Sequence, residues 1–558
     1  MSTWALTEER FIPSLAPSHE SLFTIGNGYL STRGSFEEAY RGEQRASFIQ
    51  GLFVTPPGEL PLLGAVPDWT GLSISVGGTP FSLNERPAGY RRTLDLRNGV
   101  VEREVLWRGP ETGVLRFRFR RLVSMAETHL AALELTVTAL TEPASLRIEA
   151  GIDAGVPGPE VPMWTPRRWT RPGRNRIRLQ ADSIDAQHTL EVETMLVGGS
   201  TDYFIDDHRH HRMVTEHKLA TGESIRICKY TTFHSSRDQG PRGALPAPGT
   251  DFERIVSASA RTWRKRWKSS TVEVDGDEAA ERALRFAAFQ LIGAAAPKDP
   301  GAAIGAKLSS GFGYRHHVFW DTDIFVVPYF TVTQPDLARA HLNYRYHGLD
   351  GARRKAKRYG REGAFYAWES ASTGDEVTPE WGTPPHGSPV RIWTGELEEH
   401  ITSDVAFAVD HYRRWTGDER FLIEQGVEMV AEGARYWASR LELDTQGAHL
   451  SNVIGPDEYH THVTDNFFTN LSAAWHLRTA ANLVEWLARE APRRASALAA
   501  RLGLTAESAE QWRRLSRRVA FRRREDGVWE QHAGFFELEP VDIDRFTPRQ
   551  AGMYDLVG

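Results

Sequence analysis

Over roughly the first 250 positions the apolar residues come in short alternating runs, as in Leu133-Glu134-Leu135-Thr136-Val137. A period of two puts every second side chain on one face of a strand, so the stretches 114–122, 131–140 and 145–150 read as strands. Gly, Pro and Asp/Asn clusters cut these runs at turns, and the pattern predicts a large N-terminal β-sandwich over residues 1–250.

From Asp251 the apolar spacing lengthens to that of a helix. Residues 252–267 form a Lys/Arg-rich amphipathic stretch, read as a linker helix within a connecting segment 251–278. Helical spacing returns at 279–296, 335–359, 398–416, 419–441, 466–490 and 506–519, separated by long loops dense in Gly, Pro, Trp, Asp and His. Such loops suit a helical toroid whose wall is made of helix pairs and whose loops build a site at one end. The fold class expected is multidomain β + α, with residues 279–558 as the catalytic helical domain.

At 558 residues the chain exceeds what a single core fills, in keeping with that division. Its net charge of −6 is small and the signs are interspersed, so no field argues for a nucleic-acid or membrane partner. The basic run Arg353, Arg354, Lys355, Lys357 and Arg358 reads as a solvated helix face. One cysteine, Cys228, excludes an intrachain disulfide and every multi-cysteine metal site, and its strand-like context predicts a buried thiol. The first residues lack the basic and apolar regions of a secretory signal, and cytoplasmic residence is expected.

Three loops concentrate reactive groups. Gly455-Pro456-Asp457-Glu458-Tyr459-His460 places two carboxylates on a turn pinned by Pro. A partly dry turn can raise a carboxyl pKa into the range of a general acid, although both groups also suit an ordinary turn. Gly311 to Asp323 gathers Tyr314, His316, His317, Trp320, Asp321 and Asp323; Trp beside Asp suits a sugar, whose ring stacks while its hydroxyls donate to the carboxylate. Core packing explains Phe319 and Trp320 equally well, and the His and Asp residues lack a clear metal-ligand spacing. In the third loop, Phe365 to Ser370, Glu369 either binds substrate or fastens the loop. No P-loop, dinucleotide fingerprint or Ser, Cys or Lys nucleophile motif occurs.

Taken in order, these loops resemble glycoside hydrolase family 65, which contains maltose, trehalose and kojibiose phosphorylases and acid trehalases. The segments that carry the resemblance are Glu20-Ser21-Leu22-Phe23 with Gly26-Asn27-Gly28-Tyr29 and Arg33-Gly34, then 317–323, 367–371 and 453–460. Thr378 to Gly382 and Val390 to Gly395 look nearest to the kojibiose phosphorylases. The resemblance implies a β-sandwich, a linker helix and an (α/α)6 barrel, here incomplete at its C-terminal end. It implies that Glu458 is the general acid and that Trp320, Asp321, Trp368, Glu369 and His460 bind substrate. It further implies a homodimer with no metal and no cofactor, acting on a disaccharide with inorganic phosphate as co-substrate and giving β-glucose 1-phosphate by inversion.

A family hydrolase would instead need a second carboxylate, roughly 6.5–9.5 Å from the acid, to activate water. A Lys-Gln phosphate-binding motif is expected soon after a segment like Ala551 to Gly558, where this sequence stops. Gly348 also stands where Thr is expected. A trehalase-like inverting hydrolase and a non-catalytic sugar-binding fragment are the alternatives.

Overall fold

The structure is a computed structural model that describes residues 2–83, 87–109, 112–155, 162–239, 242–297, 299–382 and 388–540. It contains two compact units, Met1–His317 and Val318–Gly558.

The first unit is built on antiparallel sheets. Among the described residues the largest sheet has nine strands, in the order Ala5–Glu8, Gly89–Asp95, Val100–Arg108, Val114–Val123, Leu130–Ala139, Ser224–Ser235, Thr189–Val197, Arg176–Ser183 and Trp164–Gly173. A five-stranded sheet centred on Ala144–Asp153 and His210–Leu219 and a four-stranded sheet ending in Leu62–Ala65 complete the layers. Alternation is kept where Leu133, Leu135 and Val137 are buried, but Glu134 is buried too. Its carboxylate is held by Arg120 at 3.2 Å and by Arg226, so paired charge replaces the apolar filling of that face.

The helix Phe252–Ser270 folds onto this large sheet. Phe252 and Ile255 join Val100, Leu122, Leu130, Met195, Cys228 and Tyr230 in one core cluster. Further along, Trp263 stacks on Phe289 of the helix Glu278–Ala294 with ring centroids 4.7 Å apart, and the Trp267 indole N–H donates to the Leu96 carbonyl at 3.0 Å. Cys228 is buried as expected, and burial pushes its thiol up to about 11.

The Glu20 to Gly34 segment does structural work. Glu20 pairs with Arg33 at 3.0 Å, and the Asn27 amide donates to the carbonyls of Ser124 and Thr128 while its oxygen accepts from the N–H groups of Tyr29 and Leu30. Gly28, at φ 83°, lies against the Ala295 carbonyl, where any Cβ would collide.

The second unit is helical: Val327–Thr333, Pro335–His347, Leu349–Arg358, Ile401–Thr416, Val427–Arg440, Phe467–Glu490, Pro492–Leu502 and Ser508–Arg518 are its main helices. The single helix expected over 335–359 is two, broken at Gly348. There the backbone of Gly374, at φ 72°, crosses so closely that a Cβ at either glycine would meet the other's Cα. The helix expected from 398 starts at Ile401, because Glu398 to His400 form a turn. Asn466 caps Phe467–Glu490 by accepting from the Thr469 N–H at 3.1 Å. No helix among the described residues is long and apolar enough to cross a membrane.

Candidate active site

In the second unit, backbone pairing joins two of the three loops. Val318 and Ser370 exchange hydrogen bonds of 2.9 and 3.1 Å, which joins the Trp320–Asp321 loop to the Trp368–Glu369 loop. Arg345, buried on its helix, fixes the same junction. It forks onto Asp323, at 2.5 Å for the closest contact, and donates to the Phe319 carbonyl at 2.9 Å and to Ser370 Oγ at 3.3 Å. Glu376 fastens the other side by accepting from the N–H groups of Trp368 and Glu369 at 2.8 and 3.2 Å, with Lys355 against it at 2.5 Å. This side of the loop is thus fastened through Glu376.

The third loop is tied at both ends. Val453 and Val463 exchange two 3.0 Å hydrogen bonds, and the Ile454 N–H donates to the Leu397 carbonyl at 2.9 Å. Gly455 lies under the Asn466 side chain, with no room for a Cβ. Asp457 is occupied within the turn, accepting from the Tyr459 N–H at 3.3 Å and from the Gln531 amide at 2.8 Å. Among the described residues nothing hydrogen-bonds to the Glu458 carboxyl, which opens to solvent from the turn.

Glu458 nevertheless holds its proton more tightly than an ordinary glutamate. Desolvation by the surrounding loops raises its pKa, the charges of Asp321 and Glu369 raise it further, and His400 opposes them. The carboxyls of Glu458, Asp321 and Glu369 therefore act on one another. Trp320 and Trp368 flank the same place, stacked at 27° with centroids 6.3 Å apart.

At its centre is a residue the sequence pattern passed over. His400 is fully buried, with its ring edge-on to Trp320, Trp368 and Phe468 at centroid distances of 5.0, 5.6 and 5.1 Å. Its Nδ1 lies 2.6 Å from Asp404 and its Nε2 3.1 Å from Glu398. Burial disfavours the charged ring, but Asp404 and Glu398 outweigh it and push His400 up to about 9. Burial likewise lifts Glu398 to about 8, against the His400 contact and aided by the charges of Glu458 and Asp404. At neutral pH the dry trio then favours imidazolium His400 beside protonated Glu398, while burial raises Asp404 against the pull of His400 and Arg345. The only signal in the sequence was the cluster Glu398-Glu399-His400 just before an apolar helix.

His460 Nδ1 is 3.3 Å from His532 Nε2, and its ring meets Phe535. Of the histidines and aspartates weighed as metal ligands, His317 meets the Pro61 carbonyl at 2.6 Å and Asp323 is held by Arg345. The segment Ala551 to Gly558 lies outside the described residues.

The sequence matches two family models, the glycosyl hydrolase family 65 N-terminal domain over residues 6–274 and the family's central catalytic domain over 285–557. The chain belongs to glycosyl hydrolase family 65. This family 65 protein is 33% identical to a kojibiose phosphorylase of Halothermothrix orenii over 97% of its own length and 73% of the relative's. It is 27% identical to an α,α-trehalose phosphorylase of Thermoanaerobacter brockii over 98% of its length and 74% of that protein. A solved structure titled "Putative kojibiose phosphorylase from human microbiome" superposes with a TM-score of 0.86 at 21% identity, covering 99% of this chain and 75% of that one. The family 65 fold is thus the one expected, a β-sandwich domain followed by an (α/α)6-type helical domain. The chain is an enzyme of the disaccharide phosphorylase type.

Proposed function

We propose that the enzyme cleaves an α-glucosidic disaccharide of the kojibiose type with inorganic phosphate, inverting the anomeric carbon. The observation that carries this reading is the unbonded Glu458 carboxyl, with its raised pKa, beside the stacked pair Trp320 and Trp368 and the carboxylates Asp321 and Glu369. Glu458 protonates the glycosidic oxygen as the bond to the anomeric carbon breaks, and a phosphate oxygen forms the new bond from the opposite face. The products are glucose and β-glucose 1-phosphate. Trp320 stacks on the transferred glucosyl ring while Asp321 and Glu369 accept from its hydroxyls. Phosphate is already an anionic nucleophile, so no second carboxylate is needed to activate it.

The kojibiose assignment rests on the 33% identity to that phosphorylase, and the family 65 resemblance adds a cytoplasmic homodimer needing no cofactor. Incubation with kojibiose, trehalose, maltose or nigerose, with and without phosphate, tests the reading. Phosphate-dependent glucose 1-phosphate, formed fastest from kojibiose, is expected. Glucose released at the same rate without phosphate would replace phosphorolysis by hydrolysis.

A further inference from the structure

In the N-terminal unit, a second cluster of titratable groups lies outside the residues so far given a role. His129 stands at the turn into the strand Leu130–Ala139, while His234 is near the end of its antiparallel neighbour Ser224–Ser235. Register places Leu130 opposite Thr232, so the two imidazoles meet, with ring centroids 4.7 Å apart. Asp238, in the turn that follows, puts Oδ2 at 3.7 Å from Nδ1 of each. One donor atom from each of the three lies within 4.8 Å of the others.

The tautomer of His234 makes this arrangement informative. Its Nε2 lies 2.9 Å from the Gly243 carbonyl, which can only accept, so Nε2 carries a proton and, in the neutral ring, Nδ1 carries a lone pair. His234 is 6% exposed, and among the described residues its Nδ1 has no hydrogen-bond partner. A buried lone pair aimed at a carboxylate oxygen is repulsive unless a positive centre lies between them. Bonds of about 2.0–2.1 Å to a zinc-type ion would set tetrahedral donors about 3.4 Å apart, a few tenths of an ångström less than the two His–Asp separations of 3.7 Å.

We propose that His129, His234 and Asp238 bind one divalent transition-metal ion of zinc type. The remaining coordination position faces a cavity of about 700 Å³ whose wall includes Tyr29, His129, Asp238 and Gln239. Two imidazoles and one carboxylate favour such an ion over magnesium or calcium. Binding needs no net proton release. His129 Nδ1, now 2.9 Å from the Phe233 carbonyl, turns its lone pair to the metal while the ring proton moves to Nε2. The Tyr29 hydroxyl, 3.0 Å from Asp238 Oδ2 and 3.5 Å from the Phe233 carbonyl, then donates to the carbonyl and frees the carboxylate. The His234 contact with Gly243 is the outer hydrogen bond that orients a ligating imidazole. Burial also lowers the His129 pKa and so keeps that ring neutral for ligation.

Titration of chelator-treated enzyme with zinc chloride by calorimetry, and with cobalt(II) by visible absorption, tests the site. The expected result is one ion per chain, a raised melting temperature and the visible bands of four-coordinate cobalt. His234→Gln and Asp238→Asn should each weaken binding at least tenfold. His129→Gln, a change at the cavity wall, should do the same while leaving the melting temperature of the metal-free enzyme unchanged, which separates ligation from folding. Absence of stoichiometric binding, or unchanged affinity in all three variants, overturns the proposal. So would an NMR titration showing His234 protonated at neutral pH whether or not zinc is present, because the cluster would then be an ion pair.

Discussion

Glu458 and His400 exert opposite pulls on one proton, and their substitution separates them. Glu458→Gln keeps the shape and removes the acid, so turnover of natural disaccharides should fall by about 10²–10⁴. Glucosyl fluoride, whose leaving group needs little protonation, should lose far less; equal losses on both substrates would refute the acid role. His400→Gln acts in a less obvious direction. The imidazolium lowers the Glu458 pKa, so removing it should let Glu458 stay protonated to higher pH. The alkaline limb of the kcat/KM profile should therefore move up, even though the rate falls. A limb that moves down or stays in place would contradict the coupling. Residue types and their order made Glu458, Trp320, Asp321, Trp368 and Glu369 legible as candidates. His400, Glu398 and Asp404 were not legible, because their meaning depends on complete burial and on a turn that places the Leu397 carbonyl against Ile454. Locally they look like a helix start.

Among the elements, the positions that matter most are those where two backbones cross. The break at Gly348 allows the Gly374 turn to pass, and that turn closes the loop bearing Trp368 and Glu369. Gly374→Ala adds a side chain at φ 72° against the Gly348 backbone, and it should cost about 2–4 kcal/mol and raise KM. Gly360→Ala is the control. Its φ is 68°, yet nothing lies within 4 Å of the added carbon, so a loss of about 1 kcal/mol with unchanged KM is expected. Thermal melts and disaccharide kinetics on both variants read the difference. Helical periodicity over 335–359 could not reveal the break, because the contact that imposes it comes from a loop 26 residues further on, at Gly374. The strands were easier to read, since alternation such as that of Leu133, Leu135 and Val137 reports burial directly. It failed at Glu134, where ion pairs fill an inner face.

For the molecule as a whole, the buried trio links stability to pH. Glu398 at about 8 and His400 at about 9 both hold protons that the unfolded chain releases earlier, near the ordinary values of 4.5 and 6.5. The His400 contribution is fully present below pH 6.5 and is lost as pH rises through about 9. The Glu398 contribution is fully present below pH 4.5 and is lost as pH rises through about 8. The melting temperature should therefore fall between pH 6 and 9, and Glu398→Gln should flatten that fall, which differential scanning calorimetry at several pH values can measure. An identical slope in the variant would mean that Glu398 ionises normally. The change from strands to helices was readable from the change of period near residue 251, whereas this pH linkage arises only once three charges within seven residues of one another share a dry pocket.

The most direct test of inverting phosphorolysis is the configuration of the first sugar phosphate formed. Proton NMR of the enzyme with kojibiose and phosphate, recorded before mutarotation of the glucose, should show β-glucose 1-phosphate growing in step with glucose. Appearance of the α-anomer, or of glucose with no sugar phosphate, would contradict the account.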